Sequence, residues 1–207
     1  MANDKRRVDR REFLQASAAA GLAVVASGAG DTAQAQSSPD PAIFDQRVGM
    51  PLRIRRVVTG HDEDGRAIVA IDEIAENVLS RREGQQGIVV WSTGESPADN
   101  MNPADGAART LATSDDNGTV FRIVKYDPGV APRQHRTQSL DYAVVMSGEI
   151  TMGLDDGDVH LRQGDVLVQR GTIHNWVNNG SVPCVVAFIL CAAKPIEAAD
   201  ETLEATG

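Results

Sequence analysis

From Thr119 onward the chain is a succession of short apolar-rich runs broken by polar turn clusters, the pattern of strands. Thr119–Tyr126, Ser139–Met146, Glu149–Leu154, Val159–Leu161, Asp165–Gln169, His174–Val177 and Pro183–Leu190 each read as a strand. Turn clusters separate them at Asp127-Pro128-Gly129, Ser147-Gly148, Asp155-Asp156-Gly157-Asp158, Gln163-Gly164, Arg170-Gly171 and Asn178-Asn179-Gly180. Many short strands at regular spacing, with few helix candidates, predict a closed β-sandwich or barrel. Upstream, Leu52–Val58 and Ala67–Ala70 flank a polar turn, Gly60–Gly65, and predict a hairpin; Ile88–Trp91 is a further short strand. Residues 93–118 are rich in Gly, Ala, Asn, Asp, Ser and Pro. A polar connection of that length is either a functional lid or a solvated insertion. Pro195–Ala205 reads as a short C-terminal helix.

The N-terminus breaks this pattern. Residues 1–35 hold five basic and four acidic groups, whereas residues 36–207 hold 15 basic and 25 acidic ones. A basic stretch ends in Arg10-Arg11-Glu12-Phe13-Leu14, a weakly apolar run follows from Ala16 to Ala26, and Ala33-Gln34-Ala35 puts small residues, Ala33 and Ala35, where a signal peptidase reads. The Arg10-Arg11 pattern resembles a twin-arginine signal. It predicts export by the twin-arginine machinery to the periplasm or beyond, with no stable membrane anchor after cleavage. Residues 36–49, rich in Pro, Ser and Asp, read as a tether.

Composition narrows the function classes. A chain of 207 residues with 42% hydrophobic and 24% charged residues can bury a core and is not a disordered tail. No run reaches the roughly 18 apolar residues of a lipid-spanning helix. A net charge of −9 argues against nucleic acid as a partner, because phosphate affinity is built from Lys and Arg. Two cysteines, Cys184 and Cys191, are too few for a disulfide framework. Their odd spacing puts them on opposite faces of one strand, so they should not bridge each other.

Two stretches carry the candidate chemistry: Gly129-x5-His135-x-Thr137-x3-Asp141-x6-Gly148, and Gly164-Asp165-x4-Arg170-Gly171-Thr172-Ile173-His174-x3-Asn178. Residues two apart on a strand share a face, and a carboxylate six further on keeps that parity. The arrangement resembles the cupin superfamily, whose paired motifs read G-x5-H-x-H-x3-E-x6-G and G-x5-P-x-G-x2-H-x3-N. The resemblance covers about residues 119–191. It implies an all-β, single-domain cupin β-barrel (a double-stranded β-helix, or jelly roll) with an N-terminal hairpin extension at 50–118 and a tail or short helix at 192–207. It also implies a homodimer.

By that resemblance, His135, Asp141 and His174 match the first histidine, the glutamate and the third histidine of a divalent-metal site for Fe, Mn, Zn or Ni. Thr137 stands where the second histidine would be, Asp141 is one methylene short, and Arg170 replaces the proline. Two histidines and one carboxylate match a facial-triad set. They equally suit a metal-free acid–base pocket, with Asp141 or His174 moving a proton, or a purely structural role. Thr137, Gln138 and Trp176 are candidates to line the substrate pocket, and Arg133, Arg136 and Arg170 to anchor a carboxylate. The implied function is a small-molecule enzyme of lyase, decarboxylase or isomerase type, acting on a small organic acid or an aromatic carboxylate. The alternatives are an oxygen-dependent dioxygenase and a non-catalytic ligand-binding cupin.

Overall fold

The computed structural model describes residues 47–207. The signal segment with Arg10, Arg11, Ala33 and Ala35, and most of the tether, lie outside the described residues. Thirteen strands occur among the described residues: β1 (Arg55–His61), β2 (Ala67–Ile74), β3 (Val78–Arg82), β4 (Gln85–Ser92), β5 (Thr119–Tyr126), β6 (Ser139–Ser147), β7 (Glu149–Leu154), β8 (Gly157–Arg162), β9 (Val166–Arg170), β10 (Asn175–Val177), β11 (Cys184–Ala192), β12 (Ile196–Ala198) and β13 (Glu201–Leu203). A six-stranded sheet runs β3-β4-β5-β11-β6-β9 and a three-stranded one runs β10-β7-β8. All their pairings are antiparallel. The two sheets are separate ladders packed as a jelly roll, so the sandwich is not a fully closed barrel.

Strand alternation sorts side chains between two cores. Val89, Val120, Val124, Tyr126, Ala143, Val145, Ile150, Met152, Leu161, Trp176, Cys184, Val186, Phe188 and Leu190 form one cluster, drawn from both sheets. This is the interior of the sandwich. Ile88, Ile123, Val185 and Ala187 occupy the opposite face of the large sheet, covered by Leu52, Ile54 and Ala75 from around β1 and β2. The motif residue Gly148 turns β6 into β7 at φ +72°, and a Cβ there would lie 2.6 Å from the Pro183 carbonyl oxygen, so only glycine fits.

Two expectations are corrected. Pro195–Ala205 is not a helix but the hairpin β12–β13, joined at Ala199 and Asp200 with φ of 51° and 63°. Positive φ at both loop positions is the geometry of a two-residue β-turn. Ile196 anchors the hairpin by packing over Gly171, where a Cβ would meet its Cδ1 at 2.3 Å. The second correction is β3, an edge strand with no sequence signal, since only its last residue is partly buried.

The polar segment 93–118 is stapled down, and contains a 3₁₀ turn at Gly106–Ala108. Arg56 holds Asp105 at 2.6 and 2.8 Å, Ser92 Oγ donates to the Gly106 carbonyl at 2.6 Å, and Arg109 pairs with Asp115 at 2.7 Å. Cys184 and Cys191 are both free on β11, as their spacing predicts.

Candidate functional site

His135 and His174 lie far apart in sequence but are direct backbone partners. Each N–H donates to the other's carbonyl at 2.9 Å, forming a lone antiparallel bridge outside the named strands. Directly opposed residues in such a pair project their side chains to one face. The two rings accordingly sit 4.2 Å apart between centroids, tilted by 48°. Trp176 stands edge-on to His174 at 5.9 Å and Phe188 edge-on to Trp176 at 5.4 Å, which packs an aromatic wall behind the pair.

A backbone carbonyl lies against the Nδ1 of each imidazole. His135 Nδ1 lies 3.0 Å from the Arg133 carbonyl and His174 Nδ1 lies 3.0 Å from the Thr172 carbonyl. A carbonyl only accepts, so His135 Nδ1 carries the hydrogen and its Nε2 keeps the lone pair; His174 Nδ1 lies against that carbonyl and also 3.0 Å from the Gln169 amide nitrogen, a donor. Burial, helped by the neighbouring His174, pushes the His135 pKa down to about 4. Burial also lowers that of His174. Both rings are therefore neutral at neutral pH.

Asp141 reaches the interior by register. Leu190 of β11 lies opposite Asp141 of β6, which lies opposite Gln169 of β9. The buried carboxylate accepts from Ser139 Oγ at 2.5 Å and Thr137 Oγ1 at 3.3 Å. Burial raises its pKa while these hydroxyls pull the other way. Gln169 donates its amide to the Thr172 carbonyl at 2.7 Å and lies 3.0 Å from His174 Nδ1. The Gln169 amide carries two hydrogens, so it donates to the Thr172 carbonyl and, where His174 Nδ1 is bare, to that ring nitrogen as well. The Gln169 Oε1 is buried with no partner, an acceptor waiting for a donor.

These groups line one cavity of about 250 Å³, with Thr137, Trp176, Leu167, Phe188, Arg81, Arg82, Arg122 and Arg133 among its walls. Of the expected pocket residues, His135, Thr137, Asp141, His174 and Trp176 meet there, and Arg133 joins them. Gln138 does not line it: the residue falls on the other strand face from Thr137, and its carbonyl accepts from Ala193. Arg136 and Arg170 do not line it either, Arg136 turning instead to the Glu204 carbonyl at 3.5 Å. Sequence reasoning missed Arg81, Arg82, Arg122 and Gln169. For Arg122 a signal existed, since it is the charged residue of β5 at the parity of Val120, Val124 and Tyr126. For the others there was none.

The resemblance implies a metal held by three side chains. Among the described residues no three His, Cys, Asp or Glu side chains come together as a metal site. The free Nε2 of His135 is a suitable nitrogen donor. Asp141 is engaged by two hydroxyls, and Thr137 supplies no imidazole. The expected ligand set of His135, Asp141 and His174 is therefore not assembled, because catalytic metal sites ordinarily take three protein ligands.

Two sheets packed as a jelly roll, with paired imidazoles turned toward an aromatic-walled interior, define a β-sandwich with an internal cavity. The chain belongs to the cupin family: residues 122–191 match the Cupin domain. It is 36% identical over 148 residues to the cupin-domain-containing oxidoreductase fogC of Aspergillus ruber, spanning 67% of this chain and 72% of that protein. It is 37% identical over 153 residues to the phomopsin biosynthesis cluster protein C' of Diaporthe leptostromiformis, spanning 69% and 80%. It is 31% identical over 153 residues to the cupin-domain-containing oxidoreductase virC of Hypocrea virens, spanning 70% and 78%.

Proposed function

We propose that this cupin is an oxidoreductase acting on a small organic molecule bound in the His135–His174 cavity. The observation that carries the reading is the pair of neutral imidazoles, with the Nε2 lone pair of His135 available, in an aromatic-lined interior. A neutral Nε2 accepts a proton from a substrate C–H or O–H as the substrate is oxidised. Asp141, buried and held by Thr137 and Ser139, is placed to return a proton. The relatives named as oxidoreductases support the redox part of the reading, and electrons would leave to a co-substrate or bound group.

Proton transfer alone, as in an isomerase, lyase or decarboxylase, is the second reading. It is favoured by the site itself, whose lining includes a base pair and a carboxyl but no cysteine. Turnover of a panel of aromatic and short-chain carboxylates, followed by dioxygen uptake and product mass, tests both. Oxidised products support the first reading, and products of unchanged oxidation state support the second. His174→Gln should lower either rate by about 10²–10⁴. Ligand binding with no turnover by the wild type would leave the non-catalytic binding module.

Export and assembly are further parts of the proposal. Changing Arg10 and Arg11 to Lys should hold the precursor in the cytoplasm, and unchanged periplasmic levels would refute a twin-arginine route. A homodimer is supported by apolar residues on the outer face of β6 and β9, where Tyr142, Val166 and Val168 are exposed.

A further inference from the structure

We propose that the cavity contains an anion site, separate from the histidine pair, in which Arg122 and Arg81 receive the carboxylate of an otherwise apolar ligand. This rests on the reading of the cavity as a substrate site and names the class of substrate it takes. Four guanidiniums line the cavity, and Asp141 is its one acidic residue. Among the described residues none of Arg81, Arg82 and Arg122 forms an ion pair with an Asp or Glu side chain, and Arg133 is taken by the Gly207 oxygen. They lean on backbone carbonyls instead. Arg81 donates to Leu111 and Ala112 at 3.1 and 3.2 Å, Arg122 to Ala112 at 3.1 Å, and Arg82 to Ala131 at 2.7 Å.

Arg122 is the centre of this arrangement. Its Nε is buried with no partner. A carboxylate bound in fork geometry takes Nε together with a terminal nitrogen, the pattern that guanidinium planarity favours. A second chamber of about 360 Å³ shares Arg81, Gln85, Arg122 and Val124 with the first. The two guanidiniums therefore stand where the chambers meet. On one side lie Phe188, Trp176 and Leu167, and on the other Leu79, Val89 and Leu111. Those walls suit an aromatic or branched aliphatic body. Asp141 in the same cavity opposes a second negative charge, so the fitting ligand is a monocarboxylate.

The test compares benzoate with its neutral counterpart benzyl alcohol, titrated into the purified chain by calorimetry. Wild-type protein should bind benzoate at least tenfold more tightly. Arg122→Gln and Arg81→Gln should each reduce that preference by about 10–100-fold, the scale of a lost charge-assisted pair. Equal affinities in the wild type, including binding of neither, overturn the proposal, as does an unchanged preference in both variants. Should Arg122→Gln fail to fold, the exposed Arg81 decides alone: loss of preference supports the site and retention overturns it. Arg170→Gln, an arginine that does not line the cavity, should keep the preference. A chain that prefers benzoate yet turns nothing over would sink the oxidoreductase reading and leave this site standing.

Discussion

Arg122 and Lys125 stand three positions apart on β5 and face opposite sides of one sheet. Lys125 is 2% exposed, yet its ammonium is compensated. It lies 3.2 Å from Asp127 and donates to the Met50 carbonyl at 2.6 Å and the Arg47 carbonyl at 3.4 Å. Arg122, on the cavity side, has one carbonyl and no carboxylate at ion-pair distance, with Asp141 acting on it only through space. Burial and the neighbouring Arg81 depress its pKa to about 10. A buried charge is costly unless it is paired. Where the role is to pin the chain entering β1 onto the sheet, the fold supplies the counter-charge. On the cavity side the fold sets the nearest carboxylate, Asp141, beyond ion-pair distance of Arg122, as the proposed anion site requires.

Removing each cation should break this comparison open. Lys125→Met leaves Asp127 buried without its cation and should cost about 3–5 kcal/mol of stability. Arg122→Met removes a charge that had no carboxylate partner, so stability should change by less than about 1 kcal/mol or rise. Urea midpoints measure both. Equal losses in the two variants would erase the distinction.

Next in size is the pH dependence of the interior. The folded chain keeps both imidazoles neutral down to pH values at which the unfolded chain is protonated. Stability should be full above the ordinary histidine value of 6.5 and fall as pH drops toward about 4. For His135, discounted for partial exposure, this amounts to about 2 kcal/mol. Asp141 has the opposite sign. Its raised pKa stabilises the fold at low pH and loses that effect as pH rises through the folded value, blunting the slope at the acid end. The fall between pH 7 and 5 should flatten in His135→Gln, and an unchanged slope would count against a neutral buried ring.

Thr137→His places a third imidazole one strand step from His135. It should tighten Ni²⁺ or Zn²⁺ binding at least tenfold, about 1.4 kcal/mol, in equilibrium dialysis. No gain would mean that the cavity cannot gather three ligands whatever their type. The smallest effect belongs to the outer face. Val168→Lys should alter monomer stability by less than about 0.5 kcal/mol while shifting the sedimentation profile toward monomer. An unchanged profile would remove that face from the dimer.

The sandwich strands were legible in the sequence because each is a short apolar-rich run bounded by turn residues, as β5 and β7 show. Edge strand β3 was not, since exposed Val78 and Leu79 carry no burial pattern. The C-terminal hairpin was misread because Ile196 to Leu203 is built of good helix formers, and packing over Gly171 overrode propensity. The histidine pair was legible from motif spacing alone. Gln169 was not assigned a role, because its place in the cavity follows from cross-strand register, which no local pattern encodes, whereas Arg122 was overlooked despite sharing strand parity with buried Val120 and Val124.

The central claim is that His135 and His174 are neutral and that His135 offers an Nε2 lone pair to the cavity. Nitrogen-15 NMR of the imidazoles, assigned with His135→Gln and His174→Gln, measures this directly. Both rings should be neutral at pH 7, with His135 in the Nδ1–H tautomer, and His135 should remain neutral until the pH approaches about 4. An Nε2–H tautomer in His135, or its protonation near 6.5, would contradict the account.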